Sequence, residues 1–159
     1  MNFAVFASGR GTNFSAIARA VKKGKIKANL SLLISDNPKA GALARARRAG
    51  IKTLVVDFSQ YPSRAEYEVE IIKNLEKENI ELIVLAGYMR IVGPELMQKY
   101  KNRILNIHPA ILPSFKGTHG IEDAFNYGVK VTGVTVHFVD EKMDHGPIIL
   151  QAPVKIEES

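Results

Sequence analysis

Asn2-Phe3-Ala4-Val5-Phe6-Ala7-Ser8-Gly9-Arg10-Gly11-Thr12-Asn13-Phe14 begins as an apolar run and breaks at a glycine turn. Phe14, Ile17, Ala18 and Val21 then recur at i, i+3, i+4 and i+7, which is one face of a helix. Strand, turn and helix in that order predict a βα unit with the strand at Asn2–Ala7. The pattern repeats down the chain. Leu30–Ile34 reads as a second strand, Ala40–Ala49 as a helix stopped by Gly50, and Lys52–Val56 as a third strand. Ser63-Arg64-Ala65-Glu66 has the capping-box pattern and opens a helix through about Glu78, with Tyr67, Ile71 and Leu75 on one side. Leu82–Ala86 is a fully apolar fourth strand. Pro94 suits the first turn of a short helix to Tyr100, and Ile104–His108 is a fifth strand. Alternation of this kind predicts an α/β fold with a mostly parallel central sheet flanked by helices.

After His108 the rhythm changes. A loop runs to about Gly120 and a short helix ends near Gly128. Val131–Val139 and Ile148–Ile156 are then expected to pair as a C-terminal edge hairpin around a loop at 140–147. With 159 residues and no linker or repeat, one domain over 1–159 is the expectation. That length buries about 70% of the unfolded chain's surface.

Chemistry concentrates where the fifth strand stops. Asn106 and His108 are two apart in Ile104-Leu105-Asn106-Ile107-His108-Pro109, so a strand points them the same way. An amide N–H can hold a developing oxyanion, and an imidazole can move a proton. Asp144 lies in the expected hairpin loop. The three groups together suit transfer of an acyl or formyl group. A strand-end Asn and His that only satisfy nearby backbone is the competing reading.

The glycine turn has the design of a phosphate site. Gly9 and Gly11 let backbone approach a ligand, Thr12 or Asn13 caps the next helix, and that helix's free N–H groups attract an anion. The third glycine of a dinucleotide fingerprint and the Walker lysine are both missing. A purely structural tight turn is the alternative.

Composition removes several classes. There is no cysteine, hence no disulfide, thiolate nucleophile or cysteine zinc site. His108, His119, His137 and His145 lack zinc-motif spacing, and the acidic hairpin loop lacks the alternation of a calcium loop, so no metal is expected. The net charge is +6, with clusters at Lys22, Lys23, Lys25 and Lys27 and at Arg45, Arg47 and Arg48. Neither cluster is interleaved with aromatics, so both read as solvated helix ends rather than a nucleic-acid surface. The first residues are too short an apolar run for a signal peptide or span, which predicts a cytoplasmic protein with no membrane partner.

Four segments together resemble the phosphoribosylglycinamide formyltransferase family. They are Ala7-Ser8-Gly9-Arg10-Gly11-Thr12-Asn13, Leu85-Ala86-Gly87-Tyr88-Met89-Arg90-Ile91, Leu105-Asn106-Ile107-His108-Pro109-Ala110-Ile111-Leu112-Pro113, and Gly133–Val139 continuing through Asp144-His145-Gly146-Pro147-Ile148-Ile149. The resemblance implies a Rossmann-like fold and formyl transfer from 10-formyltetrahydrofolate, a co-substrate, to the amine of glycinamide ribonucleotide in purine biosynthesis. It implies Asn106, His108 and Asp144 as catalytic residues, with Asp144 favouring imidazolium at His108 directly or through water. It implies Gly11, Thr12 and Asn13 at the substrate phosphate. Arg64, Met89, Arg90, Ile91, Val92 and Asn106 would meet the folate. Thr135 and His137 share a strand face, which reads as a supporting pocket wall rather than a proton carrier. The implied partners are small molecules, not nucleic acid or membrane, with a homodimer left open.

The family usually continues through another helix near the first glycine turn, and a chain ending at Glu157-Glu158-Ser159 is expected to lack it. That would loosen the ribonucleotide side more than the folate side. Lys116 stands where many relatives have proline, and His145 where others carry a small residue. Formyltetrahydrofolate hydrolase and methionyl-tRNA formyltransferase share the Asn-x-His…Asp set but carry extra domains. A catalytically weak nucleotide-binding α/β module is the reading from another class.

Overall fold

A computed structural model describes residues 1–157, so the expectation attached to the chain's last two residues lies outside the described residues. The chain divides into two compact units, Met1–Ile104 and the residues from Leu105 onward. The first holds β1 (Asn2–Phe6), α1 (Thr12–Lys22), β2 (Asn29–Ser35), α2 (Gly41–Arg48), β3 (Lys52–Val55), α3 (Arg64–Lys77), β4 (Leu82–Leu85) and α4 (Pro94–Lys99). Its strands run parallel in the order β3-β2-β1-β4. β1 and β2 are almost continuously buried, as inner strands of a parallel sheet covered on both faces must be. Phe6, Phe14, Leu32, Ile34, Ile71 and Leu75 are among the largest fully buried side chains there. α1 packs on α2, and α3 on α4.

The alternation read from sequence is realised in this unit, and the predicted strand ends continue as backbone hydrogen bonds. Ala7 N–H donates to Ile34 O at 3.0 Å, Ala86 N–H to Phe6 O at 2.9 Å, and Val56 N–H to Ser35 O at 2.9 Å. Ser63 caps α3 as expected, its hydroxyl accepting from Glu66 N–H at 3.2 Å. The cap of α1 differs from expectation. Neither Thr12 nor Asn13 caps it: Gly11 holds that place at φ +78° with no side-chain bond. The left-handed backbone and the closeness of Ala42 explain why. A Cβ on Gly11 would stand 2.6 Å from Ala42 Cα.

The second unit holds β5 (Ile104–His108, from Leu105 onward), α5 (Gly120–Tyr127), β6 (Val131–Phe138) and β7 (Ile148–Lys155). β5 pairs antiparallel with β6, and β6 with β7, which is the expected hairpin. Alternate residues of β6, namely Gly133, Thr135 and His137, are buried. Gly128 ends α5 at φ +85°, the left-handed stop a glycine supplies. No described helix is long and apolar enough to cross a membrane.

Candidate active site

The β5–β6 register builds the polar set of the second unit. It places Asn106 opposite His137 and His108 opposite Thr135. Side chains directly opposite in antiparallel strands stand close enough to touch. His137 Nδ1–H donates to the Phe138 carbonyl at 2.8 Å, which leaves Nε2 of the neutral ring to accept from Asn106 Nδ2 at 3.2 Å. The amide keeps a second N–H for another acceptor. His137 is 2% exposed, so this contact is shielded from water.

His108 is likewise buried, at 3% exposure. Its Nε2 lies 2.8 Å from the Phe115 carbonyl, and a carbonyl only accepts, so Nε2 carries hydrogen. Nδ1 faces Asp144 Oδ1 at 3.5 Å. Each ring nitrogen thus faces an oxygen acceptor, Nε2 in a hydrogen bond and Nδ1 at ion-pair distance. Gly120 makes room for this, because a Cβ there would sit 3.0 Å from the Phe115 carbonyl and 3.4 Å from His108 Nε2.

Asp144 is fixed from two sides. Its Oδ2 accepts from Gly117 N–H at 2.8 Å, and its backbone adopts φ +50°, a conformation that aspartate tolerates better than most residues. Its Oδ1 also lies 3.9 Å from His137 Nε2. Thr135 is fully buried. Its hydroxyl donates to Ala110 O at 2.7 Å and accepts from Leu112 N–H at 3.1 Å, pinning the chain that follows His108. Gln151 donates to Leu112 O at 2.9 Å and to the Thr135 hydroxyl at 3.1 Å. Asn106, His137, Asp144 and His108 therefore form one connected polar set, and Thr135 braces the chain that follows His108.

Lys116 and His145 stand at the edge of that set. With Leu112, Pro113, Asp144, Gly146 and Ile148 they line an open cleft of about 280 Å³. His145 Nδ1 lies 2.9 Å from Asp140 Oδ2, and this bond first, then Lys142 N–H, holds the Asp140 carboxyl below its usual range. Among the described residues no group of three or more His, Cys, Asp or Glu could hold a metal ion.

The first unit carries the other sequence-derived residues. Gly11, Thr12 and Asn13 form the turn into α1, where the first regular bond is Ser15 N–H to Gly11 O at 2.9 Å. The turn is anchored to α2 by Ala42 N–H to Gly9 O and by Arg45 Nε to Arg10 O at 2.7 Å. After β4, Met89 and Ile91 are 66% and 61% exposed, although both are large and apolar. Arg90 lies between them with its guanidinium 4.4 Å over the Phe58 ring and Nε 2.9 Å from Asp36 Oδ2. Arg64 opens α3, and its stem packs beside Gly93, where a Cβ would stand 2.7 Å from Arg64 Cδ.

Glu68, Asp36, Gln151 and the Phe115 carbonyl are among the groups in these networks that were not singled out from sequence. Glu68 is 2% exposed and accepts from Gly93 N–H at 2.5 Å and Leu96 N–H at 3.1 Å, satisfying the start of α4. Its signal was a carboxylate three and seven residues before Ile71 and Leu75, on their buried stripe. Asp36 follows β2, at the carboxyl end of a parallel strand where ligand-facing residues gather. The Phe115 carbonyl has no side-chain signature at all.

The formyl transferase family model matches residues 1–159. The phosphoribosylglycinamide formyltransferase of Bacillus subtilis (strain 168) is 46% identical over 156 residues, covering 98% of this chain and 80% of that protein. The Escherichia coli (strain K12) protein of the same name is 41% identical, covering 98% of this chain and 74% of its own length. The crystal structure of phosphoribosylglycinamide formyltransferase from Bacillus halodurans superposes with a TM-score of 0.94 at 49% identity, over 99% of this chain and 81% of that one. The α/β fold agrees with sequence and structural kinship that extend over the whole chain, which belongs to the formyl transferase family.

Proposed function

We propose that this chain transfers the formyl group of 10-formyltetrahydrofolate to the amine of 5-phosphoribosylglycinamide, a step of purine biosynthesis. The observation that carries the reading is the connected set in which His108 faces Asp144 and Asn106 is held by His137. The substrate amine attacks the formyl carbon and a C–N bond forms. The carbonyl oxygen becomes an oxyanion, met by the free Asn106 N–H and by Nδ1–H of protonated His108, the ring nitrogen that is not held by the Phe115 carbonyl. The amine gives up a proton, the bond from the formyl carbon to folate N10 breaks, and N10 takes a proton, with His108 as the carrier. Asp144 keeps the imidazole oriented and its charge compensated. No metal enters any step.

Gly11, Thr12 and Asn13 are assigned to the ribonucleotide phosphate, which the first N–H groups of α1 and its dipole favour. Arg64, Met89, Arg90, Ile91, Val92 and Asn106 are assigned to the folate. Exposed Met89 and Ile91 suit an apolar pteridine or aryl surface, and a guanidinium suits the glutamate carboxylates. Thr135 and His137 hold the set in place. The partners are small molecules, with neither nucleic acid nor membrane, the setting is cytoplasmic, and any assembly is with a second copy.

The test is turnover with both substrates, followed by release of tetrahydrofolate and gain of formylated ribonucleotide in equal amounts. Deformylation of the folate at the same rate without ribonucleotide would make the chain a hydrolase instead. No loss of formyl group in either arm would make it a binding module.

A further inference from the structure

We propose that Ser8 and Asp36 are positioning residues for the Met89–Val92 segment, and that Asp36 sets the affinity for the folate co-substrate by fixing Arg90. The proposal rests on the formyl-transfer reading above. β2, β1 and β4 are parallel neighbours, so Asp36, Ser8 and Met89, which follow them, leave the sheet at the same end. The Ser8 hydroxyl sits in the middle. It donates to Asp36 Oδ1 at 2.6 Å and accepts from Met89 N–H at 2.9 Å, while Ser8 N–H donates to Gly87 O at 3.0 Å. Asp36 turns its other oxygen to Arg90 Nε at 2.9 Å. Asn37 holds the same corner from behind, its Nδ2 donating to Ser8 O at 3.2 Å.

The segment is thereby tied at Met89 by Ser8, at Arg90 by Asp36, and just past Val92 by the buried Glu68 carboxylate on Gly93 N–H. Burial does not explain three polar ties, because Met89 and Ile91 project into solvent. A ligand surface does, since binding costs least where the backbone and its charged group are already in place. The asymmetry within the ion pair fits this. The Asp36 side chain is 9% exposed and that of Arg90 is 37%, so the carboxylate is the buried anchor and the guanidinium its outward-facing load. The guanidinium is also stacked on Phe58, which leaves little freedom to be lost when a folate binds.

Steady-state kinetics with both substrates and calorimetric titration with tetrahydrofolate test this on the full chain. Asp36→Ala should raise KM for 10-formyltetrahydrofolate and Kd for tetrahydrofolate about tenfold or more, since it removes both the ion pair with Arg90 and the charge-assisted hydrogen bond from Ser8, with kcat little changed. Asp36→Asn should recover part of the loss, because an amide still accepts from Ser8. Ser8→Ala should shift the same constants in the same direction. If Asp36→Ala does not fold, the isosteric Asp36→Asn carries the test. Folded variants with unchanged folate constants, or with kcat lowered at constant KM, would overturn the positioning role while wild-type turnover keeps the formyl-transfer reading. A wild-type chain that neither turns over nor binds tetrahydrofolate would overturn both.

Discussion

Asn106 Nδ2 lies 3.2 Å from His137 Nε2 because the two residues face each other across the β5–β6 ladder. One N–H of the amide is spent on that contact, and the direction of the other is thereby set. The contact with Asn106 is the hydrogen bond that links His137 to the chemistry, Asp144 Oδ1 lying farther off at 3.9 Å. His137→Ala should therefore lower kcat on the order of 10–100-fold, the scale of a misplaced catalytic group, while KM for both substrates moves little. A KM change with constant kcat would instead place His137 against a substrate.

His108 and Asn106 should matter more than their support. Replacing either with alanine removes a group assigned to the oxyanion, and loss of one such donor costs about 10²–10³ in rate. His108→Ala and Asn106→Ala should retain the wild-type circular dichroism and lose turnover by that factor. Near-wild-type rates in either would sink the assignment.

Asp144 offers a finer test, since Asn keeps its shape. Asp144→Asn still accepts from Gly117 N–H but presents His108 with a neutral oxygen. Turnover should fall by part of the general-acid contribution, roughly 10–100-fold of the ~10²–10⁴ such groups supply. Asp144→Ala also leaves the Gly117 N–H unpartnered, so it should melt at a lower temperature than Asp144→Asn. Equal melting points for the two would show that the Gly117 bond contributes nothing to stability.

The order of strands and helices was legible because parallel strands are written as unbroken apolar runs and glycines punctuate them. The parallel sheet and the β6–β7 hairpin were legible too, but the direction of β6 against β5 was not. β5 continues the alternation in sequence yet pairs antiparallel with β6, and hydrophobic pattern is blind to that difference. Asn106 and His108 announced themselves through a shared strand face, which is local. The partners that orient them did not. The Phe115 carbonyl is backbone, and the contact of Asp36 with Arg90 joins loops that only the sheet brings together. The helix cap was misread because hydroxyl and amide residues at Thr12 and Asn13 outweighed a glycine. The deciding fact was the approach of Ala42, from another helix.

Alkaline titration probes a different part of the first unit. The Tyr67 and Tyr88 hydroxyls are 2.6 Å apart, and burial pushes both phenols above their ordinary range. Burial raises Tyr100 as well. An unfolded chain releases these protons near pH ~10, whereas the folded one retains them. Stability should therefore be complete below about pH 10 and fall as pH rises beyond it. Ultraviolet difference titration of the five tyrosines should show a phenolate deficit that vanishes at the alkaline unfolding step. Full ionisation of all five in the folded protein would contradict the burial argument.

Gly9 and Gly11 look alike in sequence and should behave differently when each is replaced by alanine. Gly11 stands at φ +78°, and its Cβ would meet Ala42 Cα and Cβ at 2.6 Å. Left-handed backbone alone costs an L-residue about 1–2 kcal/mol, and the contact forces α1 and α2 apart as well. Gly11→Ala should thus lower the melting temperature clearly. Gly9 has no positive φ, and a Cβ there meets nothing within 4 Å, so Gly9→Ala should melt like the wild type. The open space beside Gly9 is what a phosphate approaching the start of α1 would use. Gly9→Ala should therefore raise KM for the ribonucleotide while leaving KM for the folate alone. If it changes neither constant, the phosphate does not pass Gly9. If it lowers stability as much as Gly11→Ala, the turn is held by contacts other than those around Ala42.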